Sequence, residues 1–413
     1  MITRHRARTC ALLAALAVAG LRAHAQPAPG PHSSLPQAFE AAWARHPEQR
    51  AASARRETGD AAQRAAQRWT PEPASLSLST QTDRPTQNHG SREYEATVAV
   101  PLWRSGERGR AQEVAASMSA DLQARQAAAR WRLAGELREA HWDWQRALAD
   151  RALADQRLAN TRQLAADVAR RVQAGDLARA DGHQAEAAVA AAESARAEAT
   201  AARLQAAQRW SALTGQLPSP VPDDSAEPMP DAAPADRPHP ALQELSTRAE
   251  LARRQRELMD RQTHASPELS IGAARERSEF GERYSQSVIV GLRIPLGAQA
   301  ESPARRAAAR AEQAEAEALL EALQARVQAD AQAARDQVDA LTEAHAAAER
   351  RARLALESRG FFEKSFRLGE SDLPTRLRVE LDALEAQRQA ARARIEHAAA
   401  LSRWRQALGL LPD

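Results

Sequence analysis

The chain has 413 residues, a formal net charge of +3 and only 4% aromatic residues. So few bulky rings cannot fill a conventional thick globular core, and the abundance of Ala, Arg, Glu, Gln and Leu points to long helices packed through Ala and Leu seams. The basic excess does not mark a nucleic-acid partner: residues 1–25 hold four Arg and no acid, so 53 Lys+Arg (57 − 4) face 54 Asp+Glu beyond them.

The first residues read as an export signal. Arg4, Arg6 and Arg8 form a basic head, an apolar run follows from Cys10 to Leu21, and Ala23-His24-Ala25 is a small-x-small cleavage site that starts the mature chain at Gln26. The run is too short to span a bilayer comfortably. Cys10, the only cysteine, follows Arg8-Thr9 rather than the small apolar residues of a lipoprotein signal. The mature chain is therefore expected to carry no acyl anchor and no transmembrane helix.

Beyond the signal the sequence is duplicated. Pro73, Pro101, Gly175, Trp210 and Gly215 recur 194 positions later as Pro267, Pro295, Gly369, Trp404 and Gly409, and His46-Pro47 recurs as His239-Pro240. The first repeat covers 26–217 and the second 240–413. Between them, 218–239 is a Pro/Asp-rich linker whose prolines deny it helix and sheet.

In the first repeat the pattern predicts a helix from Leu35 to Trp69, strands at 74–82 and 93–101, a long helix at about 104–174 and a return helix at about 182–214. In the second it predicts a helix over 240–265, strands at 268–276 and 285–295, a long helix at about 303–367 and a return helix at about 375–408. A helix of that greater length extends roughly 100 Å. The two shorter helices of each repeat sum to about the same length, so stacked end to end they would pair antiparallel with the long one. Strands would then lie at one end of a rod and Gly turns at the other.

The strands are set apart from the helices by alternation. Leu76 and Leu78 face one way and Ser75, Ser77 and Ser79 the other; Val288, Val290, Leu292 and Ile294 share a face against Ser287, Gly291 and Arg293, with Ile289 breaking the pattern. Apolar outside and small polar inside is the pattern of a transmembrane β-barrel, and the only two tyrosines, Tyr94 and Tyr284, each open the second strand of a hairpin, where an aromatic girdle belongs. The competing reading is a pair of soluble hairpins capping a helical bundle. Four strands cannot close a barrel in lipid, so the membrane reading requires several chains, and three would supply twelve strands.

This order of elements, with V-A-V-P-L-W at Val98 to Trp103, R-I-P-L-G at Arg293 to Gly297, the turn R-V-Q-A-G-D-L-A-R-A-D at Arg171 to Asp181, its partner F-R-L-G-E-S-D-L at Phe366 to Leu373, and helix endings at Leu213-Thr214-Gly215 and Leu408-Gly409, resembles the TolC family of outer-membrane efflux proteins. The resemblance spans essentially the whole mature chain, and its short form is closest to the heavy-metal cation branch, the CzcC-like proteins. It implies a mainly α fold with a small β part: a homotrimer whose twelve-stranded barrel sits in outer-membrane lipid, continuous with a twelve-helix periplasmic α-barrel. The tip would meet a periplasmic adaptor, or membrane fusion protein, that joins it to an inner-membrane pump of the RND type. The docking residues would be Arg171, Ala174, Gly175, Asp176 and Leu177 in the first repeat and Leu368, Gly369, Glu370 and Ser371 in the second.

The acids near these turns gather at one end of the rod. In a closed ring Asp181 and Asp372 would contribute to an acidic constriction attractive to cations, with Asp176 and Glu370 beside them. The family's acid six residues after the turn glycine is matched by Asp181 after Gly175, whereas Thr375 stands there after Gly369 and Arg378 at the next acidic position. The same residues also suit helix N-terminal capping, and both readings stand.

Catalysis is not indicated. No serine sits in a G-x-S-x-G elbow, no glycine-rich loop follows a strand, and the histidines form no metal-ligand spacing, so no cofactor and no metal site is expected. His141 and Asp143, within H-W-D-W, would be the candidate ligand pair, but beside Trp142 and Trp144 on a long helix His141 reads as packing. Two other readings compete with an efflux duct: a periplasmic helical adaptor or scaffold, and the outer-membrane duct of a type I protein secretion system.

Overall fold

The computed structural model describes residues 34–223, 225–230, 238–297 and 300–412. The export signal, Cys10 and the cleavage site before Gln26 lie outside the described residues, as does part of the inter-repeat linker. In chain order the elements are α1 (Leu35–Arg45), α2 (Pro47–Gln67), β1 (Ser75–Thr82), β2 (Arg92–Pro101), α3 (Glu107–Ala174), α4 (Arg179–Thr214), α5 (Pro240–Arg261), β3 (Glu268–Arg277), β4 (Ser285–Arg293), α6 (Ser302–Arg367) and α7 (Leu373–Ala407). The chain is mainly helical with one small antiparallel sheet.

The 68 residues of α3 are held by a seam of small and apolar residues. Leu133, Leu137, Ala140, Trp144, Ala147, Ala154, Leu158, Thr161 and Val168 are all buried and follow one another at intervals of three, four or seven. That heptad spacing keeps one stripe of the helix facing its neighbours along its whole length. α2 and α4 cover α3 in turn, α5 and α7 cover α6 in the same manner, and α3 also packs on α5 and α7.

The single helix expected over 35–69 is instead two helices broken at His46. Pro47 disfavours helical geometry in the residue before it, and His46 is extended with φ −63° and ψ 136°. The break is also a cap: Nδ1 of His46 accepts the Glu48 amide at 3.2 Å. His239 repeats the device, its Nδ1 accepting the Ala241 amide at 3.2 Å ahead of α5. The duplicated His-Pro is thus a helix start with the proline at the first helical position, where its missing N–H costs nothing.

These starts sit against the ends of the return helices. α4 closes at Gly215 (φ 75°), where a Cβ would come within 2.9 Å of three atoms of the Arg45 guanidinium group. α7 runs out at Gly409 (φ 79°), where a Cβ would lie 2.6 Å from the Pro240 ring. In each repeat, therefore, a short helix abuts the next short helix end to end, and a glycine permits the close approach.

The junction carries the thickest core. Ala38, Phe39, Ala42 and Trp43 of α1 pack with Ala129, Leu133, Ala134, Leu137 and Ala140 of α3 and with Trp210 of α4. Beside it the described part of the linker is anchored by charge. Glu227 receives a two-pronged contact from Arg138, Nε and Nη2 each at 2.8 Å, and lies 3.4 Å from Nε of Arg405. Arg138 also donates to the carbonyl of Leu410 at 2.9 Å, and Arg405 to that of Pro228 at 3.0 Å. Arg138 and Glu227 are both buried, so neither charge can fall back on water.

Removing one partner of such a pair leaves a buried charge uncompensated. Glu227→Ala is expected to lower stability by about 3–5 kcal/mol. Glu48→Ala, which removes the partner of the exposed Arg55, should cost less than about 1 kcal/mol. Thermal unfolding of the purified variants separates the two; equal shifts would show that the linker is not held by this pair.

Candidate functional site

Two regions of the fold carry functional geometry, one at each end of the long helices. At one end the strands form a four-stranded antiparallel sheet in the order β1-β2-β3-β4. Its register sorts the residues onto two faces. Leu76, Val98, Ile271 and Val290 are aligned in one row across the sheet, and Leu78, Ala96, Ala273 and Val288 in the next. On the reverse face Ser77, Thr97, Gly272 and Ile289 form a row, as do Ser79, Glu95, Ala274 and Ser287. Glu95 is engaged there by the Thr97 hydroxyl at 2.8 Å.

The apolar face is bare within the chain: Leu78 is 74% exposed, Val288 76% and Val290 69%. Soluble proteins do not leave a contiguous apolar surface of this kind without a partner. The sheet is also open at both edges, since β1 and β4 each pair on one side only. No described helix is long and apolar enough to cross a membrane.

At the other end two tight turns lie side by side. Gly175 (φ 85°) and Gly369 (φ 78°) are both left-handed and exposed. Around each, two amides turn back to the preceding helix: Gly175 N–H to Val172 at 3.1 Å and Asp176 N–H to Arg171 at 2.9 Å, then Gly369 N–H to Phe366 at 3.1 Å and Glu370 N–H to Ser365 at 3.0 Å. This double bond closes the last helical turn and requires the left-handed residue.

A shared core binds the turns to each other. Val168 and Ala185 from the first repeat meet Phe366 and Leu373 from the second, with Val172, Leu177 and Leu377 around them. Arg171 crosses between repeats, donating from Nη1 to the Phe366 carbonyl at 3.2 Å with its guanidinium 4.9 Å from that ring. Of the nine residues considered for docking, Arg171 and Leu177 are thus partly withdrawn into the tip and Ser371 is half-buried, while Ala174, Gly175, Asp176, Leu368, Gly369 and Glu370 are exposed.

Asp181 and Asp372 both serve as caps. Asp181 sits at the third position of α4 and its Oδ2 accepts the Ala178 amide at 3.0 Å. Asp372 precedes α7 and its Oδ1 accepts the Thr375 amide at 3.0 Å. Hydrogen bonds from Thr375, side chain and then backbone, hold the Asp372 carboxyl below its ordinary pKa, so its cap is lost only as the pH falls through that lowered value.

Sequence reasoning did not pick out Phe366, one of only five phenylalanines, as the link between the turns, nor the charged cluster behind them. There Arg376, buried, donates to Glu380 at 2.8 Å, and Glu380 lies 3.7 Å from Arg359 and accepts from Asn160 at 3.3 Å. The i, i+4 spacing of Arg376 and Glu380 was the available signal.

His141 and Asp143 do not converge. Two residues apart on a helix they point to different sides, and Asp143 is taken by Arg146 and Arg209. His141 packs edge-on against Trp142 at 4.8 Å, and its burial pushes the imidazole below its ordinary pKa. A cleft of about 660 Å³ lies nearby, lined by Trp131, Trp142, Leu323 and Ser402 and by Arg146, which is tied to Glu396 at 2.7 Å.

No family model and no curated protein matches the sequence. Among solved structures, the outer-membrane protein VceC of Vibrio cholerae is 18% identical with a TM-score of 0.71, over 91% of this chain and 96% of VceC. A membrane protein from Pseudomonas aeruginosa is 17% identical with a TM-score of 0.74, over 92% and 91%. CusC, whose structures concern folding and transmembrane channel formation, is 15% identical with a TM-score of 0.72, over 91% and 92%. The chain therefore has the fold of outer-membrane channel proteins along nearly its entire described length. The resemblance to the TolC family read from the sequence holds at the level of that fold.

The tip glycines are open to test without reference to any partner. No atom lies within 4 Å of a Cβ placed on Gly175 or Gly369, so an alanine there meets only backbone strain, about 1–2 kcal/mol. Gly175→Ala is expected to speed hydrogen exchange of the amides around 171–181 by about tenfold without moving those of the junction core. Unchanged exchange would mean the turn tolerates a side chain.

Proposed function

We propose that this protein is an outer-membrane channel of the TolC family, the duct of a tripartite efflux system reaching from the outer membrane into the periplasm. Three chains close a twelve-stranded barrel in outer-membrane lipid and a twelve-helix α-barrel beneath it. The protein works by passage rather than catalysis. A periplasmic adaptor docks on the six Gly turns and connects them to an inner-membrane pump of the RND type. Heavy-metal cations are the favoured cargo, ahead of drugs, on the resemblance to the CzcC-like branch.

The observation that carries this reading is the sheet: one apolar, exposed face, one small polar face and two unpaired edges. In hydrocarbon every backbone group must be paired, so the open edges call for neighbouring copies. With the apolar face outward, the serines, threonines and glutamates line the lumen. The shared fold with VceC, CusC and the outer-membrane channel OprN, 18% identical, supports the same reading. Asp181 and Asp372 can cap their helices and still present charge to cations at the tip.

Leu78→Arg and Val290→Arg place a charge on the lipid face, at a cost of about 2–4 kcal/mol near the bilayer midplane. Each is expected to lower the yield of heat-modifiable trimers in the outer-membrane fraction, whereas Ser77→Arg, on the lumen face, should assemble far better. Equal defects would reverse the assignment of faces, and recovery of wild type as a soluble periplasmic monomer would remove the duct altogether. At the tip, Gly175→Trp or Gly369→Trp should abolish efflux complementation and adaptor cross-linking while leaving trimer yield near normal; normal efflux in both would take the turns out of the docking surface.

A further inference from the structure

The apolar face of the sheet ends, beside the two hairpin loops, in three arginines. Arg92 of β2 and Arg277 of β3 are direct register partners, and Arg275 stands one row in, opposite Tyr94. All three have the parity of Val98 and Ile271, so they project from the same face as the apolar rows. Like charges directly opposite each other across two strands repel. The arrangement therefore needs a counter-charge.

The described residues do not supply one in an ion pair. None of the three arginines forms an ion pair with a described carboxylate, and the nearest strand acids, Glu93, Glu95 and Glu276, have the opposite parity and belong to the reverse face. Of the three acids in the hairpin loops, two are turned to backbone amides. Asp83 accepts from His89 at 2.6 Å and Gly90 at 3.1 Å, and Glu282 accepts from Ser278 at 2.8 Å and Glu279 at 3.3 Å. The loops themselves hold Arg84 and Arg283 beside Asp83, Glu279 and Glu282.

Aromatic rings hold two of the three guanidinium groups, those of Arg275 and Arg277, in place instead. Arg275 lies 4.5 Å and Arg277 5.1 Å from the Tyr284 ring centre, and Arg277 lies 5.6 Å from that of Phe280. Tyr94 and Tyr284 are themselves 6.4 Å apart. Stacking fixes a guanidinium plane and leaves most of its N–H groups free for a planar or tetrahedral anion. Arg277 spends one, from Nε to the Gly90 carbonyl at 3.0 Å.

Depth identifies the anion. Tyrosines at the rim of a lipid-facing sheet lie at headgroup level; Tyr94 stands on β2 beyond the apolar rows and Tyr284 just ahead of β4, both at the end of the sheet away from the helices. With the helices in the periplasm, that end meets the outer leaflet. We propose that Arg92, Arg275 and Arg277 form a binding site for the phosphate groups of an outer-leaflet glycolipid, whose acyl chains then lie along the apolar rows. The site rests on the duct reading above and adds a lipid ligand to it. Phosphate matches paired guanidinium groups in both charge and fork geometry, and the phosphorylated lipid relieves the Arg92–Arg277 repulsion that an uncharged lipid would leave.

The test is titration of the purified full chain, in neutral detergent, with bis-phosphorylated lipid A. Fully dephosphorylated lipid A and inorganic phosphate form parallel arms. Wild type is expected to bind the phosphorylated lipid, to bind the dephosphorylated one far more weakly, and to be indifferent to inorganic phosphate, which brings no acyl chains. Arg92→Gln, Arg275→Gln and Arg277→Gln combined should weaken binding on the order of 100-fold, about fivefold per arginine, while Arg293→Gln on the reverse face leaves it unchanged. Equal affinity for the two lipids, competition by inorganic phosphate, or wild-type binding by the triple variant would each overturn the site. Should the triple variant fail to assemble, the two lipids on wild type still decide. A heat-stable outer-membrane trimer that ignores the phosphates refutes this site alone, and a soluble periplasmic chain refutes both the site and the duct.

Discussion

An apolar stripe about 100 Å long on one helix has to be covered along its whole length, and no single partner helix in this chain does so. α3 meets α2 over one part and α4 over the other, so the stripe stays dry only if those helices abut without a gap. In the first repeat a glycine just beyond α4, Gly215, lies against the guanidinium group of Arg45 at the end of α1. The same solution recurs in the second repeat, where Gly409 touches His239 and Pro240. Because the seam is heptad-spaced, the resulting wall is thin and uniform, with Ala where helices come close and Trp43, Trp142, Trp144 and Trp210 concentrated near the junction.

That wall places two chemically different ends at a fixed separation. One end is a sheet whose apolar surface and unpaired edges have no complement among the described residues. The other is a pair of glycine turns stitched together by Phe366 and Arg171. Among the described residues neither end brings acids and bases together in a cavity, and charged side chains lining the cleft beside Trp142 are committed to one another, Arg146 to Asp143 and Glu396 and Arg209 to Glu139.

Charge is used differently along the molecule. On the helix faces ion pairs run both along single helices, as in Arg326 with Asp330, and between neighbouring ones, as in Arg162 with Glu193, and where they are this exposed they contribute little to stability. Arg138 with Glu227 is the exception, because burial leaves each partner dependent on the other. At the tip, Asp181 and Asp372 are spent first on backbone amides. At the hairpin end Arg275 and Arg277, on the apolar face of the sheet, have rings rather than acids for company.

The mainly helical class, the duplication and the two-faced character of the strands are legible in the order of residues alone. Each of these is a property of local spacing: Leu76 and Leu78 alternate with serines whatever lies across from them, and Gly175 and Gly369 interrupt their helices because only the backbone at that residue decides. Asp181 and Asp372 were legible as caps for the same reason, lying within three residues of the amides they accept. The break at His46 was also local, yet the strong helical pattern on both sides of it masked the effect of Pro47. Only the tertiary structure decided which residues from different repeats would meet. Arg171 and Phe366 are 195 positions apart, and Arg138 and Glu227 are 89. The row that sets Arg92 against Arg277 depends on a register between strands from opposite halves of the chain. Periodicity orients a side chain about its own helix or strand axis; it does not say what the neighbouring element brings to that side, because that follows from packing the seams of both repeats at once.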